Sequence, residues 1–166
     1  MRLGSGGMRK IALTLTLLAV CILASCSSES GAKPLPFEFT RDHACSVCGM
    51  IIVDFPGSKA QMHYSSGRPD SFCSTLDMFL FYLQPDCPAN ITAIYVNDMG
   101  KADMDHPRGH WIDAKAAFYV FGAKVKGSMG ESLVPFGNPA DAQAYIGKHG
   151  GMIVRFDKVN LAMLRP

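Results

Sequence analysis

The chain has 166 residues, with 16 basic and 14 acidic side chains. That balance implies no strongly basic face, so no nucleic-acid partner is expected. The length suits one compact domain, or two small units sharing a core.

The chain opens with a targeting segment, which must be set aside before the fold is read. Arg2, Arg9 and Lys10 precede an uncharged apolar run of 13 residues, 11–23. A spanning helix needs about 20 apolar residues, so the run is too short to cross a bilayer. The string Leu23-Ala24-Ser25-Cys26 then resembles a lipoprotein cleavage box. Residues 1–25 are expected to be the signal peptide, with Cys26 the lipidated first residue of the mature chain. Acyl chains contribute about 0.8 kcal/mol per buried methylene, so several of them anchor a protein stably. Removing residues 1–25 takes away three basic side chains, leaving 13 basic against 14 acidic. Residues 26–38 read as a polar, proline-containing flexible tether.

Lys59 to Tyr64 reads as a strand, and Arg68 to Cys73 as its hairpin partner across Ser65-Ser66-Gly67. Ser74 is a plausible N-cap for a helix over 75–83, with Leu76, Phe79, Leu80 and Leu83 on one face. Pro85 stops it. Residues 91–97 read as a strand, and the polar stretch 98–109 as turns. Strands follow at 117–121 and 132–136. Asn138 can cap a helix with Pro139 at its first position, running to about residue 148. A strand at 152–156 and a short helix at 158–164 complete the chain.

The order β-β-α-β therefore occurs twice, at an offset of 64 residues: Phe72 with Phe136, Ser74 with Asn138, Asp77 with Asp141, Phe81 with Tyr145. The expected fold class is α+β: two tandem ββαβ units packed together, with small, mostly antiparallel sheets. The first unit is expected over 39–110 and the second over 111–166.

Four cysteines remain once Cys21 and Cys26 are set aside: Cys45, Cys48, Cys73 and Cys87. In an oxidising compartment an even count can mean disulfides, and sequence cannot choose among the three pairings. Cys87 lies in a turn-like Pro85-Asp86-Cys87-Pro88 segment and reads as an exposed extra. Cys45-Ser46-Val47-Cys48-Gly49-Met50 carries the chemistry, with two thiols and a thioether in six residues. Gly49 lets the backbone turn tightly, so that the sulfurs of Cys48 and Met50 can point one way. Three readings stand. The motif is half of a zinc site, although no second pair of ligands at matching spacing is evident. It is a redox dithiol, although the segment after it reads as strand or loop rather than as a helix. Or it is a Cu(I) site, since thiolate and thioether sulfur favour that ion.

The mature chain has eight methionines. Met78, Met152 and Met163 fall at core spacing. Met129 lies instead in a glycine-flanked polar turn between two strands, and Met99 and Met104 in a polar loop.

These pieces resemble, in order, the nitrous oxide reductase accessory lipoprotein family, NosL. The resemblance rests on His43-Ala44-Cys45-x-x-Cys48-Gly49-Met50, Asp54-Phe55-Pro56-Gly57 and Phe72-Cys73-Ser74-Thr75 followed by Asp77. It continues through Val96-Asn97-Asp98-Met99, Asp105-His106-Pro107, Trp111-Ile112-Asp113-Ala114, Tyr119-Val120, Met129-Gly130 and Gly150-Gly151. Asn97 and Met104 stand where the family more often carries histidine and tryptophan. The resemblance implies a periplasmic lipoprotein binding one Cu(I), built from two ββαβ units. It further implies that this copper goes toward the copper–sulfide centre of nitrous oxide reductase, in concert with an ABC-type membrane complex. Ser27 and Ser28 lack the aspartate of inner-membrane retention signals, so the outer membrane is the expected location.

The expected ligands are the Cys48 thiolate and the Met50 and Met129 thioethers, which leave the ion transferable rather than caged. His43, Cys45, His63 and Cys73 form a second tier. Asp77 reads as a first-turn helix charge. No nucleophile–base arrangement is visible, so no catalysis is expected. The alternatives to a copper carrier are a thiol-disulfide redox lipoprotein using Cys45 and Cys48, and a zinc-stabilised adaptor of a membrane complex.

Overall fold

The computed structural model describes residues 32–127, 130–131 and 133–164. Its first strands are β1 (Ala60–Tyr64), β2 (Asp70–Phe72) and β3 (Ile91–Asn97), with helix α1 (Thr75–Tyr82) between β2 and β3. A three-residue strand, β4 (Trp111–Asp113), pairs with β3, giving an antiparallel sheet in the order β2-β1-β3-β4. The sequence reading has no strand at 111–113, and it placed the start of the second unit there. The backbone gives those residues to the first sheet.

The second copy follows as β5 (Phe118–Phe121), the hairpin strands β6 (Lys126–Gly127) and β7 (Gly130–Glu131), β8 (Val134–Phe136), α2 (Pro139–His149) and β9 (Met152–Arg155). Its sheet is antiparallel in the order β8-β5-β9. The same arrangement therefore appears twice, with the first strand central, the second on one side and the post-helix strand on the other. The repeat of two ββαβ units is present as expected. A single turn of 3-10 helix (Phe156–Lys158) and a four-residue helix, α3 (Leu161–Leu164), end the described chain.

Local sequence explains both helices. Ser74 Oγ accepts the Asp77 N–H at 3.0 Å, and Asn138 Oδ1 accepts the Asp141 N–H at 2.9 Å. Each satisfies one of the donors a helix start leaves open. Pro139 sits in the first turn of α2, and the Gly150 N–H closes its far end on Ile146 O at 2.8 Å.

Strand alternation sorts side chains between layers. Tyr119 and Val154 face a core shared with Ala60, Met62, Ile94, Val96 and α1, while Val120, Val134 and Phe136 pack with Ala142 of α2. Phe79 of α1 joins the copies, with ring centroids 5.1 Å from Tyr119 and 4.9 Å from Phe156. Met78 is core, and Met163 packs against it, as expected. Met152, expected in the core, is 59% exposed on an edge strand.

The other face of β1 shows a second difference from the sequence reading. Gln61 and His63, alternating with Ala60 and Met62, look like a solvent face but are buried. Residues 33–39, most of them assigned to the flexible tether, lie across this face. The Gln61 side-chain amide donates to Phe37 O at 3.0 Å, and its carbonyl accepts the Phe37 N–H at 3.1 Å. Tyr95 Oη donates to Pro34 O at 2.8 Å, and Lys33 pairs with Asp113 at 2.8 Å. Glu38 takes the Trp111 indole N–H at 2.6 Å.

Candidate metal centre

Residues 45–50 form a loop closed on itself. Ala44 and Ile51 make an antiparallel bridge. The Cys45 N–H donates to Met50 O at 2.8 Å, and the Gly49 N–H to Cys45 O at 2.9 Å. Gly49 has φ +74°, a left-handed conformation that any Cβ would strain. The loop is fastened to β2, the edge strand of the first sheet. The Ser46 N–H reaches Ser71 O at 2.8 Å, and Ser46 Oγ takes the Ser71 N–H at 3.2 Å. That fastening aligns the loop with the residues after β2, which are Cys73, the cap Ser74 and the first turn of α1.

The result is a group of four donors. The sulfurs of Cys45, Cys48 and Cys73 and a carboxylate oxygen of Asp77 all lie within 4.8 Å of one another. Cys48 Sγ is 3.5 Å from Cys73 Sγ. The Cys73 thiol donates to Asp77 Oδ2 at 3.0 Å, and Cys45 Sγ lies 3.6 Å from the same oxygen. Cys45, Cys73 and Asp77 are buried, whereas Cys48 and Met50 are half-buried. The cluster is therefore reached from the Cys48 side. Met50 packs against the same small core, with Phe39 and Ile52.

Electrostatics favour one anionic sulfur. A hydrogen bond from Cys73 draws the Cys45 thiol well below its ordinary value, and the same contact, with burial and Asp77, raises Cys73. Burial raises both Cys48 and Asp77. Beneath the cluster, Lys59 is buried and donates its ammonium to Phe55 O, Pro56 O and Cys73 O at 2.7, 3.1 and 3.0 Å. Burial pushes Lys59 down to about 8, against the opposing pull of Cys73 and Cys45. An ammonium held on the carbonyl of a cluster residue favours negative charge there.

Of the residues singled out by sequence, Cys48 is brought together with Cys45 and Cys73, and Met50 packs against the same small core. Met129 lies between β6 and β7, outside the described residues. His43 and His63 stand apart. His43 Nδ1 accepts the Thr40 N–H at 3.1 Å, with the ring stacked on Phe37. His63 Nε2 donates to Gln61 Oε1 at 2.8 Å. Met99 and Met104 pack in the core beneath α2. Cys87 is half-buried against the main core rather than exposed.

Asp77 is the donor that sequence reasoning set aside, and Cys73 was held in the second tier. A signal for both exists: a cysteine just before an N-cap, with an acid three positions after that cap, puts thiol and carboxylate on the same helix end. What sequence does not show is that the 45–50 loop docks onto that end.

Three thiols and one carboxylate at this separation can surround a single ion, and their softness selects late, thiophilic metals. The fold and cluster define a two-unit α+β protein with a thiol-rich, half-open cluster that could hold a metal ion. A family model described as NosL matches residues 36–164. The chain belongs to the NosL family. It is 41% identical over 156 residues to the copper-binding lipoprotein NosL of Stutzerimonas stutzeri, covering 90% of this chain and 82% of that protein. It is 32% identical over 160 residues to the copper-binding lipoprotein NosL of Achromobacter cycloclastes, covering 93% and 83%. The crystal structure of the copper chaperone NosL from Shewanella denitrificans superposes with a TM-score of 0.74 at 35% identity, over 79% of this chain and 98% of that one. These relatives are named as copper-binding proteins and a chaperone, and none as an enzyme.

Proposed function

We propose that this protein is a membrane-anchored copper carrier on the periplasmic side of a bacterial membrane. It holds one Cu(I) and passes it on for assembly of the copper–sulfide centre of nitrous oxide reductase, through an ABC-type membrane complex. Lipidation at Cys26 supplies the anchor, and the outer membrane is its location. The observation that carries the reading is the opening at Cys48. One half-buried thiol stands in front of two buried ones, so an ion can be received and surrendered by exchange at that sulfur. Cu(I) is satisfied by two or three soft ligands. Cys48 supplies the dominant one, because a thiolate brings charge as well as softness. Met50 and Met129 complete the carrier site, with Cys45 and Cys73 as further thiols in reach.

A second reading has its own support. Cys45, Cys48, Cys73 and Asp77 make a four-donor set of the kind a tetrahedral zinc ion takes. Metal content after anaerobic, reducing purification separates the two, with Cu(I) expected and tightly held zinc pointing to an adaptor. Cys48→Ser tests the carrier directly. It is expected to abolish stoichiometric Cu(I) binding in a competition titration, while Met50→Ala and Met129→Ala weaken it. Parent-like binding by Cys48→Ser would sink the site assignment.

A further inference from the structure

We propose that Cys48 and Cys73 form a reversible disulfide that closes the metal centre whenever it is empty. The proposal rests on the reading of this cluster as the copper site and assigns its regulation.

The two sulfurs are 3.5 Å apart and not bonded. They belong to different elements, Cys48 to the 45–50 loop and Cys73 to the end of β2. The Ser46–Ser71 hydrogen bonds hold those elements together. A disulfide needs the sulfurs to close to about 2.0 Å. Cys48 can supply that movement, since it is half-buried at the mouth, whereas Cys73 is fully buried and packed. The same contrast divides the labour: Cys48 meets an oxidant in solution, and Cys73 can reach only Cys48 or another member of the cluster. Cys48, the sulfur that solvent reaches, gives up its proton to solvent and attacks an external disulfide, forming a mixed disulfide and releasing one thiol. Attack by Cys73 on the Cys48 sulfur then forms the internal bond and releases the second thiol. Two cysteine thiols are oxidised and one external disulfide is reduced to two thiols, so atoms and electrons balance. The product has lost the entry ligand and one of the two thiols beside it, leaving Cys45 and Asp77 behind a closed mouth. Bound Cu(I) occupies the Cys48 sulfur and blocks the first step. The loaded carrier is then protected, and the empty one is retired until a dithiol reduces it.

The test uses the full chain in detergent, reduced anaerobically, freed of metal and then treated with glutathione disulfide. Peptide mapping is expected to find Cys48 linked to Cys73, with Cys45 and Cys87 still alkylatable. Cu(I) binding should fall at least about tenfold, since a ligand must be ionised and free to bind. Dithiothreitol should restore it, and preloading with Cu(I) should prevent the link. Cys73→Ser should keep Cys48 out of any internal disulfide. A Cys45–Cys48 link, a Cys48 left as thiol or as the glutathione adduct, or a linked protein that binds copper like the reduced one, overturns the proposal. Reduced protein that takes up no Cu(I) overturns the carrier reading itself, and the proposal with it.

Discussion

The two helix N-termini of this molecule are built alike and used differently. In the first copy the residue before the cap is Cys73, and the covering loop, 45–50, brings two more thiols. In the second copy the corresponding residue is Gly137, and the covering segment brings Asp98. Asp98 Oδ1 accepts the Gly137 N–H at 2.9 Å and the Gly100 N–H at 3.1 Å, and a Cβ built on Gly137 would lie 2.5 Å from Asp98 Oδ2. The space that a thiol occupies in one copy holds the protein's own buried carboxylate in the other. A helix start attracts negative charge in both cases. One copy satisfies it internally, and the other with groups that can take a metal. The two equivalent helix ends thus differ in what is laid over them, and among the described residues only the first carries a set of donors that could hold a metal.

The largest expected effect tests whether the copies are one structure. Phe79→Ala removes the ring between Tyr119 and Phe156 and should cost about 3–5 kcal/mol. Denaturant unfolding should remain a single transition shifted to lower midpoint, and two separated transitions would show independent units. Next, Gly137→Cys tries to give the second copy the residue of the first. The new side chain meets buried Asp98, so the change should destabilise by about 1–3 kcal/mol. It should add no second copper equivalent in a Cu(I) titration, and a gained equivalent would break the contrast. Smaller again are the caps. Ser74→Ala and Asn138→Ala should each cost about 1 kcal/mol by thermal melting. Only Ser74→Ala should also weaken Cu(I) binding, because only its helix end carries Cys73 and Asp77.

The smallest effect concerns pH. Burial lowers the His63 value, so the unfolded chain binds this proton more readily than the folded one. The stability that neutral His63 contributes is present above the unfolded value of about 6.5 and is lost as pH falls below it. His63 should therefore take away stability from the metal-free parent between pH 7 and pH 5, its own share being no more than one proton's slope of about 1.4 kcal/mol per pH unit. His63→Gln should flatten that part of the profile. An unchanged slope would place the acid sensitivity elsewhere.

The repeat was readable because its signals are local. Ser74 and Asn138 announce helices, Gly150 ends one, and runs of β-branched and aromatic residues mark β3 and β5. Trp111–Asp113 was not readable as a strand. Three residues after a polar loop carry too little pattern, and β3 alone defines their pairing. The outer face of β1 misleads for a related reason. Gln61 and His63 have the polarity of a solvent face, but they are buried because a distant segment lies on them. The Cys45–Met50 motif was legible from its spacing as a candidate site. The places of Cys45, Cys73 and Asp77 depend on Ser46 finding Ser71, a contact between segments 25 residues apart.

The docking of residues 33–39 shortens the leash. With a lipid on Cys26, seven residue steps separate the anchor from Lys33. Fully stretched, they span no more than about 25 Å. The domain is then confined to a thin shell over its bilayer, where it meets other membrane-bound proteins at the high effective concentration of a short tether. On the carrier reading proposed above, copper held this way would be offered to neighbours in the same membrane rather than to the bulk periplasm. Lys33, Pro34 and Phe37, which take no part in holding metal, set how far it can travel.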